Sequence, residues 1–426
     1  MPAVPLSLPR EKAGGRLWLS ALILALVAQM LFLYHLGVPH QPVFDEIHYV
    51  KAARILAELS GPTNVEHPLL GKMFIAAGIK LFGDTSFGWR FFSTLAGTAT
   101  VLAVFAITWL LLGRLRAAIV AAVLALLNFT LFVQARIAML DGFMVALLLG
   151  AIAVFLWAAN GRAARETVPR LALAGVLFGL AIGTKWAAVP FLGYAGLVMM
   201  VLRHAERGAA DQHFGGVSAF TALAVLGGAG TCAYVATFMP AFFYRTDPLS
   251  WGGFIAFHRL MYAQQTQIVP PHPYQSVWWS WSLDLRPIWY LYERADGAQR
   301  GILMVGNPLV LWGGLAAVAA CLYGWWRDKA APLGVAAGLW IASYAIWPAI
   351  PKKIGFFYYY YLPSILLCIA LAAAFSHFGR GRWRHADLLF SGAALVFFVY
   401  FFPILSAAPL VDDQAFLHWL LLPGWS

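Results

Sequence analysis

Eleven stretches of this 426-residue chain are apolar over runs that approach or reach the length needed to cross about 30 Å of hydrocarbon. A window of about 19 residues finds them near 17–36, 88–112, 117–134, 140–158, 171–185, 187–202, 216–239, 302–326, 332–350, 356–377 and 386–408. The pattern predicts an all-α polytopic membrane protein of about eleven transmembrane helices. With 62% of the residues hydrophobic and 11% charged, the whole of 1–426 reads as one membrane-embedded domain. The first span is about 20 residues long and lacks a persuasive cleavage site, so it is expected to remain as an anchor. A net charge of +11 raises nucleic acid as a partner, but the basic residues fall in short loops between spans rather than in an aromatic-interleaved module. No nucleic acid is expected. Cys232, Cys321 and Cys368 all lie inside apolar runs, so they read as small packing residues, and neither a disulfide framework nor a metal knot is indicated.

Those short loops also orient the chain. Arg10, Lys12 and Arg16, Arg114 and Arg116, Arg162, Arg165 and Arg170, Arg203 and Arg207, Arg327 and Lys329, and Arg380, Arg382 and Arg384 all fall on one side, which the positive-inside rule makes cytoplasmic. The N-terminus is then inside and the C-terminus outside. Two loops of interest are extracytoplasmic: 37–87, expected to carry amphipathic helices on the membrane surface, and the aromatic-rich 241–300. Twelve of the eighteen acidic residues lie on this outer face, so chemistry is sought there.

Several outer motifs carry reactive side chains. "FDEIHY" sets Asp45 beside Glu46, and adjacent residues point in different directions, so one can face a reactant while the other is held by the scaffold. Asp45 reads equally well as the N-cap of an amphipathic helix. "EHPLLGK" supplies His67 and Lys72, the latter either a snorkelling interfacial lysine or a ligand-binding cation. "FGWRFF" puts Arg90 at a helix start, as a bidentate phosphate ligand or an interfacial anchor. Arg136 and Asp141 in "QARIAMLDG" read as an internal ion pair or as substrate contacts, and Lys185 in "GTKW" as a snorkelling or anion-binding group. The long loop adds His272 and Arg286 within an aromatic belt. Lys352 and Lys353 of "IPKKIGFFYYYYLP" stand outside against the positive-inside trend and hint at an anionic ligand. The sequon at Asn128 lies within a span, where it is expected to go unused.

Taken in order, FDE, HPLLGK, the helix-start Arg, ARIAMLD, GTKW, HPYQSVWWSWSLDLRPIWY and KKIGFFYYYYLP resemble the protein O-mannosyltransferase family of the glycosyltransferase C superfamily over roughly residues 40–365. The resemblance implies a glycosyltransferase C fold with eleven spans. It implies transfer of mannose, with inversion, from a polyprenyl or dolichyl phosphate mannose to Ser or Thr hydroxyls of exported proteins. By matching motif, Asp45 is the base, Glu46 its acidic partner and Arg90 a group near the phosphate, while His67 and Lys72 match a HPPxGK turn with Leu69 in place of the second Pro. The large soluble MIR-type insert of eukaryotic members is missing. That points to a bacterial inner-membrane enzyme, with coupling to protein export as a further expectation.

The chemistry agrees with the residues. A lipid phosphate sugar carries its own leaving group, a positioned carboxylate takes the acceptor hydroxyl's proton, and Arg and Lys steady the departing phosphate without a divalent metal or other cofactor. Two other classes fit part of the pattern: a transferase acting on a lipid or glycan, of the aminoarabinose-transferase kind, and a polytopic transporter. The topology predicts that a reporter fused after Ser426 is active outside the cytoplasm and that cysteines introduced in 241–300 label with impermeant reagents. Labelling of that loop only from the cytoplasmic side overturns the orientation.

Overall fold

The computed structural model describes residues 14–206, 213–268, 270–350, 352 and 354–425. Lys353, and Arg10, Lys12 and Arg207 of the topological argument, lie outside the described residues. The chain runs α1 (Gly14–Leu33), α2 (Glu46–Ala57), α3 (Leu70–Phe82), α4 (Ser86–Leu112), α5 (Leu115–Leu126), α6 (Phe129–Gln134), α7 (Leu140–Ala159), α8 (Ala164–Ile182), α9 (Val189–Ala205), α10 (Ala219–Ala236), α11 (Phe254–Thr266) and α12 (Trp278–Trp281). A hairpin of β1 (Ile288–Ala295) and β2 (Ala298–Met304) follows, then α13 (Pro308–Asp328), α14 (Ala331–Ala345), α15 (Tyr361–Phe378) and α16 (Ala386–Leu405). Among the described residues, nine helical segments are long and apolar enough to cross a membrane.

Two of the eleven expected spans take another form. The stretch 117–134 is divided, because Asn128 ends α5 and starts α6. Its Oδ1 accepts from the Thr130 amide at 3.0 Å, while its Nδ2 donates to the Ser364 carbonyl at 3.1 Å. An asparagine so engaged and buried is no free glycosylation acceptor. The stretch 171–185 is the apolar part of α8, whose first turn carries Arg165 and Glu166. A third expectation shifts in its bounds. The span anticipated from 302 starts at Pro308, since Gly301–Met304 belong to β2. The hairpin is a small departure from the all-α expectation. Asp296 and Gly297, both at positive φ, form its two-residue turn, the conformation that such hairpins require.

The enclosed centre of the bundle is built from α4, α7 and α15. α7 lies between α4 and α8, α8 against α10, and α15 among α5, α13 and α14. Where helices meet closely, small residues line the seam. Gly175, Gly179 and Gly183 repeat every fourth residue along α8 and its end, and a Cβ on Gly179 would sit 2.1 Å from the Gly230 carbonyl oxygen of α10. Residues 37–87 fold α2 against α3 and α3 against α4, so that residues 36–46 lie over one end of the central helices.

The α8–α10 contact predicts that Gly179→Leu costs about 1–3 kcal/mol through overpacking. Gly228→Leu, which enters open space, should leave the melting temperature of the purified protein near that of the wild type. Equal behaviour of the two variants contradicts the seam.

Candidate functional site

The two adjacent carboxylates have opposite environments. Glu46 is fully buried, and each of its oxygens is taken. Oε1 accepts from Arg90 Nε at 2.8 Å and the Ala138 amide at 2.7 Å, while Oε2 accepts from Arg90 Nη2 and the Val43 amide, both at 2.8 Å. The Val43 bond returns three residues along the chain, as in a capping box, and so fixes the start of α2. The other bonds join that start to α4 and to the turn between α6 and α7.

Asp45 precedes α2 by one residue, but its side chain caps nothing. Among the described residues its carboxylate accepts no hydrogen bond. It opens instead into a cavity of about 230 Å³ lined also by His48, Asn64, His67, Lys185 and Lys352. The preceding residue, Phe44, has φ +51°, an uncommon backbone for a bulky side chain. Its ring is stacked on Tyr290 with centroids 4.3 Å apart, which holds the turn that aims Asp45. Burial pushes the Asp45 carboxyl above its usual range, and the charges of Lys185, His48 and Lys352 oppose that rise. Burial, reinforced by Lys185, Lys352 and Lys72, pushes the His67 imidazole well below its usual value, so the ring stays neutral. His67 Nδ1 and Asn64 Oδ1 are buried without a partner, both on residues that line the same cavity. Unpaired buried polar atoms are costly, and here they mark positions that a polar ligand would satisfy.

The remaining basic residues fall into two groups. Arg90 uses all five guanidinium protons: besides Glu46, it donates to the carbonyls of Leu36 at 3.3 Å, Pro39 at 2.8 Å and Gln41 at 3.0 Å. The phosphate contact expected of Arg90 therefore has no donor left to make it. Lys72 is likewise enclosed, its Nζ donating to the carbonyls of Thr63 at 3.4 Å, Asn64 at 2.7 Å and His67 at 2.9 Å. It shapes the turn that lines the cavity without entering it. Arg136 donates to Phe32, Tyr34 and His35, closing the end of α1 rather than pairing with Asp141.

Asp141 pairs with Lys185 instead, both carboxylate oxygens lying 2.8 Å from Nζ. Lys185 also lies 5.6 Å from the ring centres of Tyr358 and Tyr359 and lines the cavity of Asp45. Lys352 donates to the Tyr359 hydroxyl at 3.0 Å. It stands where that cavity adjoins a larger groove of about 600 Å³, whose walls include Trp278, Trp281, Trp347, Ile350 and Arg286. Arg286 is bound to the Pro273 carbonyl through Nε and Nη2. His272 lines neither space, its ring set edge-on to Phe356.

The structure adds residues that sequence reasoning passed over. Gln264 lies in the last turn of α11 and Gln267 directly after it, while Tyr358 and Tyr359 lie in the turn that leads into α15. The signal was present as "AQQTQ", three amides in five residues of a largely apolar chain.

Comparison with known proteins finds similarity along nearly the whole chain. The sequence family described as dolichyl-phosphate-mannose-protein mannosyltransferase matches residues 66–227, and the family described as the C-terminal four-transmembrane region of protein O-mannosyltransferase matches 250–425. A polyprenol-phosphate-mannose–protein mannosyltransferase of Mycobacterium tuberculosis is 27% identical, over 95% of this chain and 90% of its own. Among solved structures, the S. cerevisiae protein O-mannosyltransferase complex bound to the sugar donor superposes with a TM-score of 0.81 at 16% identity, covering 96% of this chain and 93% of the other. ArnT of Cupriavidus metallidurans bound to undecaprenyl phosphate gives 0.61 at 17%, covering 91% and 64%. The chain belongs to the protein O-mannosyltransferase family and has the glycosyltransferase C fold.

Proposed function

We propose that the chain transfers mannose from a polyprenyl phosphate mannose to a Ser or Thr hydroxyl of an exported protein, with Asp45 as the base. One observation carries this reading: of two adjacent carboxylates, Glu46 is consumed by four hydrogen bonds while Asp45 is unpaired in a cavity. The mycobacterial relative bears the name of that activity. Burial raises the proton affinity of Asp45, which suits a group that must take a hydroxyl proton.

In this reading the prenyl chain lies in the Trp-lined groove. Its phosphate meets Lys352 and Arg286, and the sugar enters the smaller space toward Asp45. The acceptor oxygen attacks the anomeric carbon from the face opposite the phosphate, its proton passes to Asp45, and the phosphate leaves with the bond electrons. Cations near the phosphate stabilise the charge that develops there, so the chain needs no metal for this step. Asn64, His67, Gln264 and Gln267 are placed to meet the hydroxyls of the sugar or the polar atoms of the acceptor. Glu46, Arg90 and Lys72 are positioning residues that hold the loop bearing Asp45. The site faces the extracytoplasmic side of a bacterial inner membrane, with the N-terminus inside, as the arginine distribution indicates. Export machinery delivers the acceptor in this scheme.

Mass spectrometry after incubation of the purified protein with polyprenyl phosphate mannose and a Ser/Thr-rich peptide tests the assignment. Peptide mannosylation is expected, whereas transfer only to a lipid or glycan, or none, contradicts it. Asp45→Asn should lower transfer by about 100-fold or more while leaving the melting temperature near wild type, because Asn retains the size but cannot act as the base. Glu46→Gln should behave differently, losing about 3–5 kcal/mol of stability by leaving the buried Arg90 charge uncompensated. Near-normal transfer by Asp45→Asn contradicts the proposed base.

A further inference from the structure

A second cavity lies at the other end of the bundle, on the side where the arginines gather, and takes no part in the site above. It measures about 250 Å³ and is enclosed by the beginning of α5, the end of α15 and the segment leading into α16. Three guanidinium groups line it, those of Arg114, Arg116 and Arg384, against the single carboxylate of Asp387. That carboxylate is taken. Arg116 grips it with Nε at 2.7 Å from Oδ2 and Nη2 at 2.6 Å from Oδ1.

The other two arginines are left without a counter-charge. Arg384 Nε donates to His385 Nε2 at 3.0 Å, and Arg114 Nη1 reaches the Ser376 carbonyl only at 3.4 Å. Among the described residues neither meets a carboxylate. Two guanidiniums beside one cavity, with donors to spare, form a seat for a multiply accepting anion such as a phosphate.

The surroundings indicate what carries that anion. α16 starts at the rim of the cavity and exposes Leu388, Leu389, Leu395, Val396 and Val399 along its length. Trp383, 60% exposed, stands beside the rim with the Arg382 guanidinium 5.2 Å from its ring centre. An exposed tryptophan next to a basic cavity from which a long apolar helix face extends is the arrangement of a headgroup-level boundary. An amphiphile with its phosphate in the cavity has a hydrocarbon-compatible surface directly beneath it; a free anion gains nothing from that surface.

We propose that this cavity binds the headgroup phosphate of an anionic glycerophospholipid, clamped between Arg114 and Arg384, with its acyl chains along α16. Basic pockets between helices at the membrane boundary recognise such headgroups by this combination of charge and flank. The bound lipid braces α16 against α5 and α15, adding to the Arg116–Asp387 pair.

The test uses the full chain in neutral detergent. Native mass spectrometry measures retention of phosphatidylglycerol and of phosphatidylcholine with the same acyl chains, with and without inorganic phosphate, for the wild type and for Arg114→Gln/Arg384→Gln. The wild type should retain phosphatidylglycerol about tenfold better than phosphatidylcholine, and the double variant should lose that preference, as expected for removal of charge-assisted contacts. Inorganic phosphate at equal concentration should leave the lipid bound. Equal retention of the two lipids, or an unchanged preference in the double variant, overturns the proposal. Full displacement by inorganic phosphate makes this a free-anion site and overturns the lipid assignment. If the double variant does not fold, Arg384→Gln alone, on an exposed turn, is read in the same way: a reduced preference supports the lipid and a full one overturns it.

Discussion

The buried pair of Glu46 and Arg90 is the contact on which the half of the molecule that holds the site depends. Neither group is accessible to water, so each must find all its partners within the protein. Arg90 does so by gathering the carbonyls of Leu36, Pro39 and Gln41, and Glu46 by gathering the amides of Val43 and Ala138. A chain segment without regular structure is thereby tied to α4 and to the start of α7. The same device recurs twice. Lys72 gathers the carbonyls of residues 63, 64 and 67, and Arg136 those of residues 32, 34 and 35. Irregular backbone packed over a membrane domain has few waters to satisfy it, and buried cations supply the missing donors.

That use of charge separates scaffold from chemistry. With Glu46, Arg90, Lys72 and Arg136 committed to the backbone, the ionisable side chains on the cavity wall are Asp45, His48, Glu66, His67, Lys185 and Lys352, along with its tyrosines. Lys185 is itself balanced by Asp141, which steadies its charge without filling the space before Asp45. The site thus combines one unpaired carboxylate, a neutral imidazole and cations to the side. Such an arrangement suits a reaction in which a neutral hydroxyl must lose a proton while a phosphate gains charge.

Much of the bundle was legible in the sequence because hydropathy over about 19 residues reports directly what lipid demands. Departures arose where a polar side chain acts on the backbone. Asn128 divides one apolar run by capping a new helix, and nothing in hydropathy distinguishes that from an unbroken span. The hairpin turn "ADGA" carried the Asp-Gly signal of a two-residue turn, but the apolar run Ile302–Val305 after it merges into the next span. Within the site, the adjacency of Asp45 and Glu46 already indicated divergent directions. Which of the basic residues reach the cavity was not legible, because a cation bound to carbonyls and one facing a ligand look alike in one dimension. The glutamines of α11 were missed because amides have no charge pattern to draw attention to them.

The most direct test of the account is the pH dependence of single-turnover mannosyl transfer by the wild-type protein, with donor and peptide acceptor saturating. In the proposed mechanism transfer requires Asp45 ionised, and burial holds its carboxyl above the ordinary aspartate value of about 3.9. The rate should therefore fall, as pH is lowered, with a midpoint above that value, while the fold remains intact over the same range by circular dichroism. A rate that stays level down through the ordinary carboxylate range would contradict the assignment of Asp45 as the group that takes the proton.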